Sequence, residues 1–166
     1  MQDHLTDSRE FRNVMGRFAT GVTVVTVKMG SERRGMTANA VTSLSLHPPM
    51  LLVCVDRNAS MHPLFEVAES FAVNILAADQ KAMADFFARH SDASAILGGF
   101  PYHDGVTVSP LLDDALATVE CRISERYDGG DHMIVLGHVE AIHNARPDDE
   151  PLLFFGGKYR AIAGAG

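Results

Sequence analysis

The chain has 166 residues, 46% of them apolar and 21% charged. That balance suits one domain with its own core and excludes a disordered chain, a collagen-like repeat or a disulfide-dense miniprotein. Lys+Arg 14 minus Asp+Glu 21 leaves a net charge of −7, which argues against nonspecific nucleic-acid binding because such binding needs a basic footprint. An anionic ligand would have to be held by local dipoles and a few cations, with Arg33, Arg34, Arg57, Arg89, Lys158 and Arg160 as candidates.

Cys54 and Cys121 each sit in an apolar or alternating run with no CxxC or other metal spacing. They read as packing thiols in a reducing compartment. The polar, acidic start MQDHLTDSRE is not a signal peptide. No apolar run approaches the roughly 18 residues that cross a bilayer. A cytoplasmic protein without membrane contact is the expectation. One domain is expected over 8–162, with 1–7 and 163–166 as loose ends.

In chain order, Asp7 or Ser8 can cap a first helix, in which Phe11, Val14, Met15 and Phe18 form one apolar stripe before Gly21 ends it. Val22 to Met29 is rich in β-branched residues and predicts a strand, with Arg34 to Val41 returning after a turn at Gly30-Ser31-Glu32. Met50 to Asp56 is apolar on both faces and predicts a strand covered on both sides. Ser60 can cap a short helix through Ala68, with Pro63 in its first turn. Phe71 to Leu76 predicts another buried strand. Asp79 can cap a helix through Arg89 with Ala82, Met83, Phe86 and Phe87 inward.

Residues 91–114 are rich in Gly, Ser, Asp and Pro and read as a long surface excursion. Ala117 to Ser124 and His132 to Ile142 alternate around a turn at Asp128-Gly129-Gly130, a hairpin signal. Pro151 to Phe155 and Tyr159 to Ile162 flank Gly156-Gly157. About seven strands and three short helices without a βαβ rhythm point to an antiparallel barrel rather than a parallel sheet.

Several chemistries are excluded by what is missing. Gly16-Arg-Phe-Ala-Thr-Gly21 is followed by Val22 where a P-loop needs Lys. No GxGxxG stands between a strand and a helix, and GxSxG is absent. His138 and His143 are five apart and face opposite sides of a strand, and no HExxH occurs, so no metal is expected.

Three segments are open to a functional reading. Gly35 to Pro49 carries small hydroxyl and amide residues where a buried strand would want bulk. It is either an edge strand with a polar loop or a surface that lets a flat, partly polar ligand approach the backbone. Asp56-Arg57-Asn58-Ala59-Ser60 is either a plain helix cap or an anion site with Arg57 and Ser60 as donors. Gly130-Asp131-His132 is either a hairpin turn with a surface His or a cleft mouth where His132 acts as donor or charge partner.

An ordered set of motifs then stands out: Phe18-Ala-Thr-Gly-Val-Thr-Val-Val25; Gly35-Met-Thr-Ala-Asn39 with Thr42-Ser-Leu-Ser45 and Pro48-Pro49; and Val53-Cys-Val-Asp-Arg57 with Ser60. Phe71-Ala-Val-Asn-Ile-Leu76, Gly130-Asp-His132 with Gly137-His-Val139, and Pro151-Leu-Leu-Phe-Phe155 with Tyr159 complete it. Over residues 8–162 this set resembles the short-chain flavin reductases, the small reductase components of two-component flavin-dependent monooxygenases.

The resemblance implies a mainly β (α+β) fold, an antiparallel split β-barrel of the FMN-binding type with peripheral short helices, assembled as a homodimer. It implies that Thr37, Ala38, Asn39 and Ala40 line the flavin ring and ribityl chain, with Thr42 and Ser43 near the phosphate. Val53, Cys54 and Val55 would meet the ring through backbone groups, Arg57 and Ser60 would hold phosphate, and Phe87 would close that side. His132 would stand near the nicotinamide, with Tyr159 bordering the same cleft. Ala40 replaces a Ser carried by many relatives, which removes one hydroxyl contact.

The implied activity is NAD(P)H:flavin oxidoreduction, from NADH or NADPH to FMN or FAD, supplying a partner monooxygenase. Hydride transfer between two bound rings explains why no nucleophile stands out. Two alternatives carry the same barrel: an electron carrier with permanently bound FMN, and a flavoenzyme oxidising its own small substrate.

Overall fold

The computed structural model describes residues 7–89 and 96–163. Three helices, α1 (Ser8–Met15), α2 (His62–Val67) and α3 (Lys81–Arg89), accompany the strands. The first six strands are β1 (Thr20–Gly21), β2 (Thr23–Met29), β3 (Glu32–Ala38), β4 (Val41–Leu46), β5 (Pro49–Asp56) and β6 (Ser70–Ile75). The others are β7 (Tyr102–Asp104), β8 (Pro110–Leu112), β9 (Ala117–Gly129), β10 (His132–His143), β11 (Leu153–Phe155) and β12 (Lys158–Arg160). The main sheet has seven strands in the order β3-β2-β6-β9-β10-β5-β4, and its pairs are antiparallel.

This order closes the sheet. Strands β3 and β4 are its two edges, yet only Asn39 and Ala40 join them. Laid flat at about 4.8 Å per strand spacing, the two edges would lie roughly 29 Å apart. The three steps from Ala38 to Val41 reach at most about 11 Å. The sheet must therefore curl until its edges meet, which its intrinsic twist favours. The result is the antiparallel split barrel that the motif set implies.

The β-branched run of β2 is buried on both faces because it separates two cores. Val25 and Val27 point into the barrel with Met36, Val53, Val55, Phe71, Cys121 and Val135, and α2 adds Phe65. Val24 points outward with Leu76, under Met83, Ala84 and Phe87 of α3. Gly35 on β3 makes room for that helix: a Cβ there would meet the Phe87 ring at 3.0 Å.

Several sequence expectations are corrected. The Phe11, Val14, Met15 and Phe18 stripe stays at least half exposed, and α1 ends at Met15 with Gly16 as its cap. Strand β3 stops at Ala38 because the barrel closes there. Strand β5 buries Val53 and Val55 on one face, while its other face is half-open. Helix α2 starts after Met61 with no side-chain cap. Ahead of α3, Gln80 Oε1 accepts from the Ala77 amide at 2.9 Å, and Ala84 rather than Ala82 turns inward.

The expected excursion over 91–114 lies outside the described residues as far as 95. Beyond that it is structured. Strands β7 and β8 form a small antiparallel hairpin, and Leu97, Thr107, Ser109, Leu111 and Leu112 are buried. Polar groups dock it. Asn74, with no exposed surface, accepts from the Leu112 amide at 2.8 Å and donates to Val24 O at 3.0 Å. Glu120 accepts from the amide and hydroxyl of Thr107 at 2.8 and 2.9 Å. These small polar residues satisfy buried partners, whereas composition alone makes them look solvated.

Two stability predictions follow from this packing. A Cβ on Gly137 of β10 would meet Cys121 Cβ at 2.6 Å and the Phe71 ring at 2.7 Å. Gly137→Ala should lower the urea-unfolding free energy by about 1–3 kcal/mol, the usual cost of overpacking. Asp104 of β7 is bound by Arg33 at 2.8 and 2.5 Å and by Lys28 at 3.0 Å. The Arg33 hydrogen bond, with Lys28 assisting, pulls its carboxyl down to about 2. A depressed carboxylate stabilises the fold above its unfolded value of about 3.9, and that contribution is lost as pH falls through the folded value. The stability gap between wild type and Asp104→Asn should hold at neutral pH and shrink between about pH 4 and pH 2, followed by urea titrations across that range.

Candidate functional site

A cavity of about 220 Å³ opens where β3 gives way to β4. It is lined by Met36, Thr37, Ala38, Asn39, Ala40, Cys54, Asp56, Ala59, Phe87, Ala88 and His132. Its wall is the closing stretch Thr37–Ala40, whose small side chains leave the main chain reachable. Two hydroxyls hold that stretch in place. Thr37 donates to Ala84 O of α3 at 2.7 Å, and Thr23 donates to Ala38 O at 2.7 Å. The Cys54 amide donates to Ala40 O at 3.0 Å, which ties the same stretch to β5.

Phe87 forms the apolar side, braced by Phe86 at 5.2 Å and Phe100 at 5.7 Å between ring centroids. Cys54 is half-buried, and burial pushes its thiol up, so it lines the cavity as a neutral group at neutral pH. The β5–β10 register sets Asp56 opposite His132, and both reach the cavity. His132 Nδ1 lies 2.7 Å from Asp131 Oδ1. That hydrogen bond holds the Asp131 carboxyl below the usual carboxylate range.

A second cavity of about 110 Å³ adjoins the first across Thr37, Ala38 and Asn39, and Val22, Phe154 and Tyr159 complete it. The β11–β12 hairpin, paired through β11 with β1, carries both rings. Their centroids are 5.7 Å apart, and Lys81 Nζ lies 5.4 Å from the centre of the Tyr159 ring. Burial, then the nearby Asp85 charge, raise the Tyr159 phenol, so it remains protonated at neutral pH. Together the cavities offer apolar faces with a polar rim, an environment for a flat ring that carries hydrogen-bonding edges.

Of the residues singled out from the sequence, Thr37, Ala38, Asn39, Ala40, Cys54, Phe87 and His132 meet in the larger cavity, and Tyr159 borders its neighbour. Thr42 and Ser43 stand exposed on β4 and line neither. Val53 and Val55 send their side chains into the barrel core. Arg57 turns away: its Nε donates to Gly130 O at 3.0 Å and its guanidinium pairs with Asp128 at 2.5 Å. Ser60 is half-buried outside the lining. Sequence reasoning gave no role to Met36, Asp56, Ala59 and Ala88. Met36, Asp56 and Ala59 lie inside segments it singled out, Ala88 follows Phe87, and alternation along β3 places Met36 on the same face as Ala38.

The sequence pattern of the flavin reductase-like domain matches residues 15–163. The chain belongs to this family. Among relatives of this flavin reductase-like chain is an NADH-dependent FAD reductase of Streptomyces globisporus, 46% identical over 162 residues, which are 95% of this chain and 87% of that protein. The reductase component of 4-hydroxyphenylacetate 3-monooxygenase from Thermus thermophilus is 38% identical, over 92% of this chain and 95% of its own. Among solved structures, the NADH:FAD oxidoreductase SgcE6 of Streptomyces globisporus, in complex with NAD and FAD fragments, superposes with a TM-score of 0.88. It shares 43% identity over 96% of this chain and 95% of its own.

Proposed function

We propose that this chain is an NAD(P)H:flavin oxidoreductase that moves a hydride from reduced nicotinamide to FMN or FAD and supplies the reduced flavin to a separate monooxygenase. The observation that carries this reading is the closing stretch Thr37–Ala40, held open against Phe87 and Cys54 with His132 on the rim. The lining suits a flavin ring. Its walls are apolar at Met36, Ala38, Ala40 and Phe87, its rim is polar at Asn39, Asp56 and His132, and Gly35 leaves the space that seats Phe87.

When bound there, a flavin supplies the hydride-accepting chemistry. The chain's own residues position and shield. Thr37–Ala40 would hold the group through main-chain groups, and Phe87 would keep water from it. His132 offers a hydrogen bond to the incoming nicotinamide, and Tyr159, as a neutral phenol, borders that side. Ordered reactants account for much of such a barrier, so no nucleophile is required.

Asn39 and Ala40 are exposed, which favours a flavin that exchanges over one sealed in as a permanent carrier group. The reductase components among the relatives support a monooxygenase partner. Residues 8–162 serve as one domain in this reading. Free Cys54 and Cys121 suit a reducing cytoplasm, and no helix among the described residues is long and apolar enough to cross a membrane. Excess free FMN or FAD should turn over steadily with NADH or NADPH. His132→Ala should slow that turnover while flavin binding, read by fluorescence quenching, survives. Unchanged rates would remove His132 from the reaction.

A homodimer belongs to the same proposal. Helix α1 has eight residues and buries none of them, and a helix so short is marginal in water without packing. Its Phe11, Val14 and Met15, with nearby Phe18, lie 50–72% exposed. Leu44 and Leu46 on the edge strand β4 are also exposed. A second copy covering α1 would remove this apolar surface from water. Light scattering at micromolar concentration should give twice the mass of 18.0 kDa, and Phe11→Asp with Phe18→Asp should give a monomer. A monomeric wild type contradicts the dimer.

A further inference from the structure

We propose that Asp131 is a positioning residue: its carboxylate fixes the His132 ring in the tautomer protonated on Nδ1, leaving Nε2 as a hydrogen-bond acceptor for the cavity. This rests on the reductase reading for its consequence, but the geometry stands by itself.

His132 Nδ1 lies 2.7 Å from Asp131 Oδ1. An ionised carboxylate only accepts, so the proton between them sits on the ring nitrogen. In a neutral imidazole the other nitrogen is then bare. The carboxylate stays ionised at neutral pH, since the bond to His132 lowers its pKa.

The backbone beneath the pair is fixed independently. The Arg57 amide donates to Asp131 O at 2.9 Å. The Arg57 side chain bonds Gly130 O and Asp128. Arg57 thus latches the β9–β10 turn onto the end of β5. The Asp131 side chain itself is 87% exposed and packs on nothing that holds the fold together. So exposed a contact contributes little stability, and its effect lies in the choice of tautomer. Other ionisable groups face this corner as well. Asp56 stands opposite on β5, Cys54 shares the cavity, Asp128 lies across the turn, and Arg12 of α1 acts on Asp131 through its charge.

A bare Nε2 selects ligands that present an N–H. A carboxamide, such as that of nicotinamide, meets this requirement. An Nε2–H tautomer would instead present a donor and select a carbonyl.

The test uses the full chain. Two-bond 15N–1H spectra of histidine-labelled protein should place the His132 proton on Nδ1 in wild type. In Asp131→Ala it should move to Nε2 or divide between the two. Asp131→Asn, whose carbonyl oxygen still accepts, should retain the wild-type pattern. With FMN as acceptor, Asp131→Ala should lower kcat/KM for NADH by about three- to tenfold, the scale of one lost hydrogen bond, with the FMN Kd unchanged. In a His132→Ala background the same change should have no effect, because the two residues act as one. The proposal is overturned if Asp131→Ala leaves the tautomer unaltered, or if it slows the enzyme equally without His132. Should wild type not oxidise NADH at all, the reductase reading fails while the spectra still decide the role of Asp131.

Discussion

The structure depends on a mismatch of lengths. Two residues must connect strands that are the opposite edges of a seven-stranded sheet, and only a closed sheet lets them do so. Closure brings two edges together at one place, and edges are where a sheet has main-chain donors and acceptors left over. The stretch from Thr37 to Ala40 lies there. Its side chains are small, so a ligand can come close to the backbone. The cleft is a consequence of how the barrel shuts.

What surrounds the closure converts it into a site. Thr37 ties it to α3 and Cys54 ties Ala40 to β5. Phe87 enters over Gly35, so one missing methyl sets the position of an aromatic wall. His132 arrives from far along the chain through the β5–β10 register. The scaffold around these pieces is stiff. Strand β2 is packed on both faces, and Asn74 and Glu120 fasten the β7–β8 hairpin from within. Rigid strands can hold two flat rings at a reactive distance, which is the main task that hydride transfer sets a protein.

Much of this was legible in the sequence where local pattern and final environment agree. The β-branched run Val22–Met29 and the alternating Ala117–Ser124 announced strands β2 and β9. The motif set around Thr37–Asn39, Cys54 and His132 located residues that the fold then brought together. The failures arose where long-range partners decide the outcome. Composition read the segment after Ile96 as solvated because its Thr107 and Ser109 are polar, yet both are buried against Glu120 and Ser70. The amphipathic stripe of α1 was visible, but periodicity does not say that the fold leaves that stripe exposed. Arg57 resembled an anion ligand from its place after a strand. Only the register shows that Asp128 and Gly130 lie within its reach. Asp56, though inside a quoted motif, was given no role for the same reason, since nothing local places it opposite His132.

The most direct measurement is a titration of 15N-labelled protein with FMN, following backbone amide shifts residue by residue. The account predicts saturable changes concentrated at 36–40, 54–59, 87–88 and 132, with the β7–β8 hairpin unmoved. No saturable change, or changes centred away from the barrel closure, would contradict it.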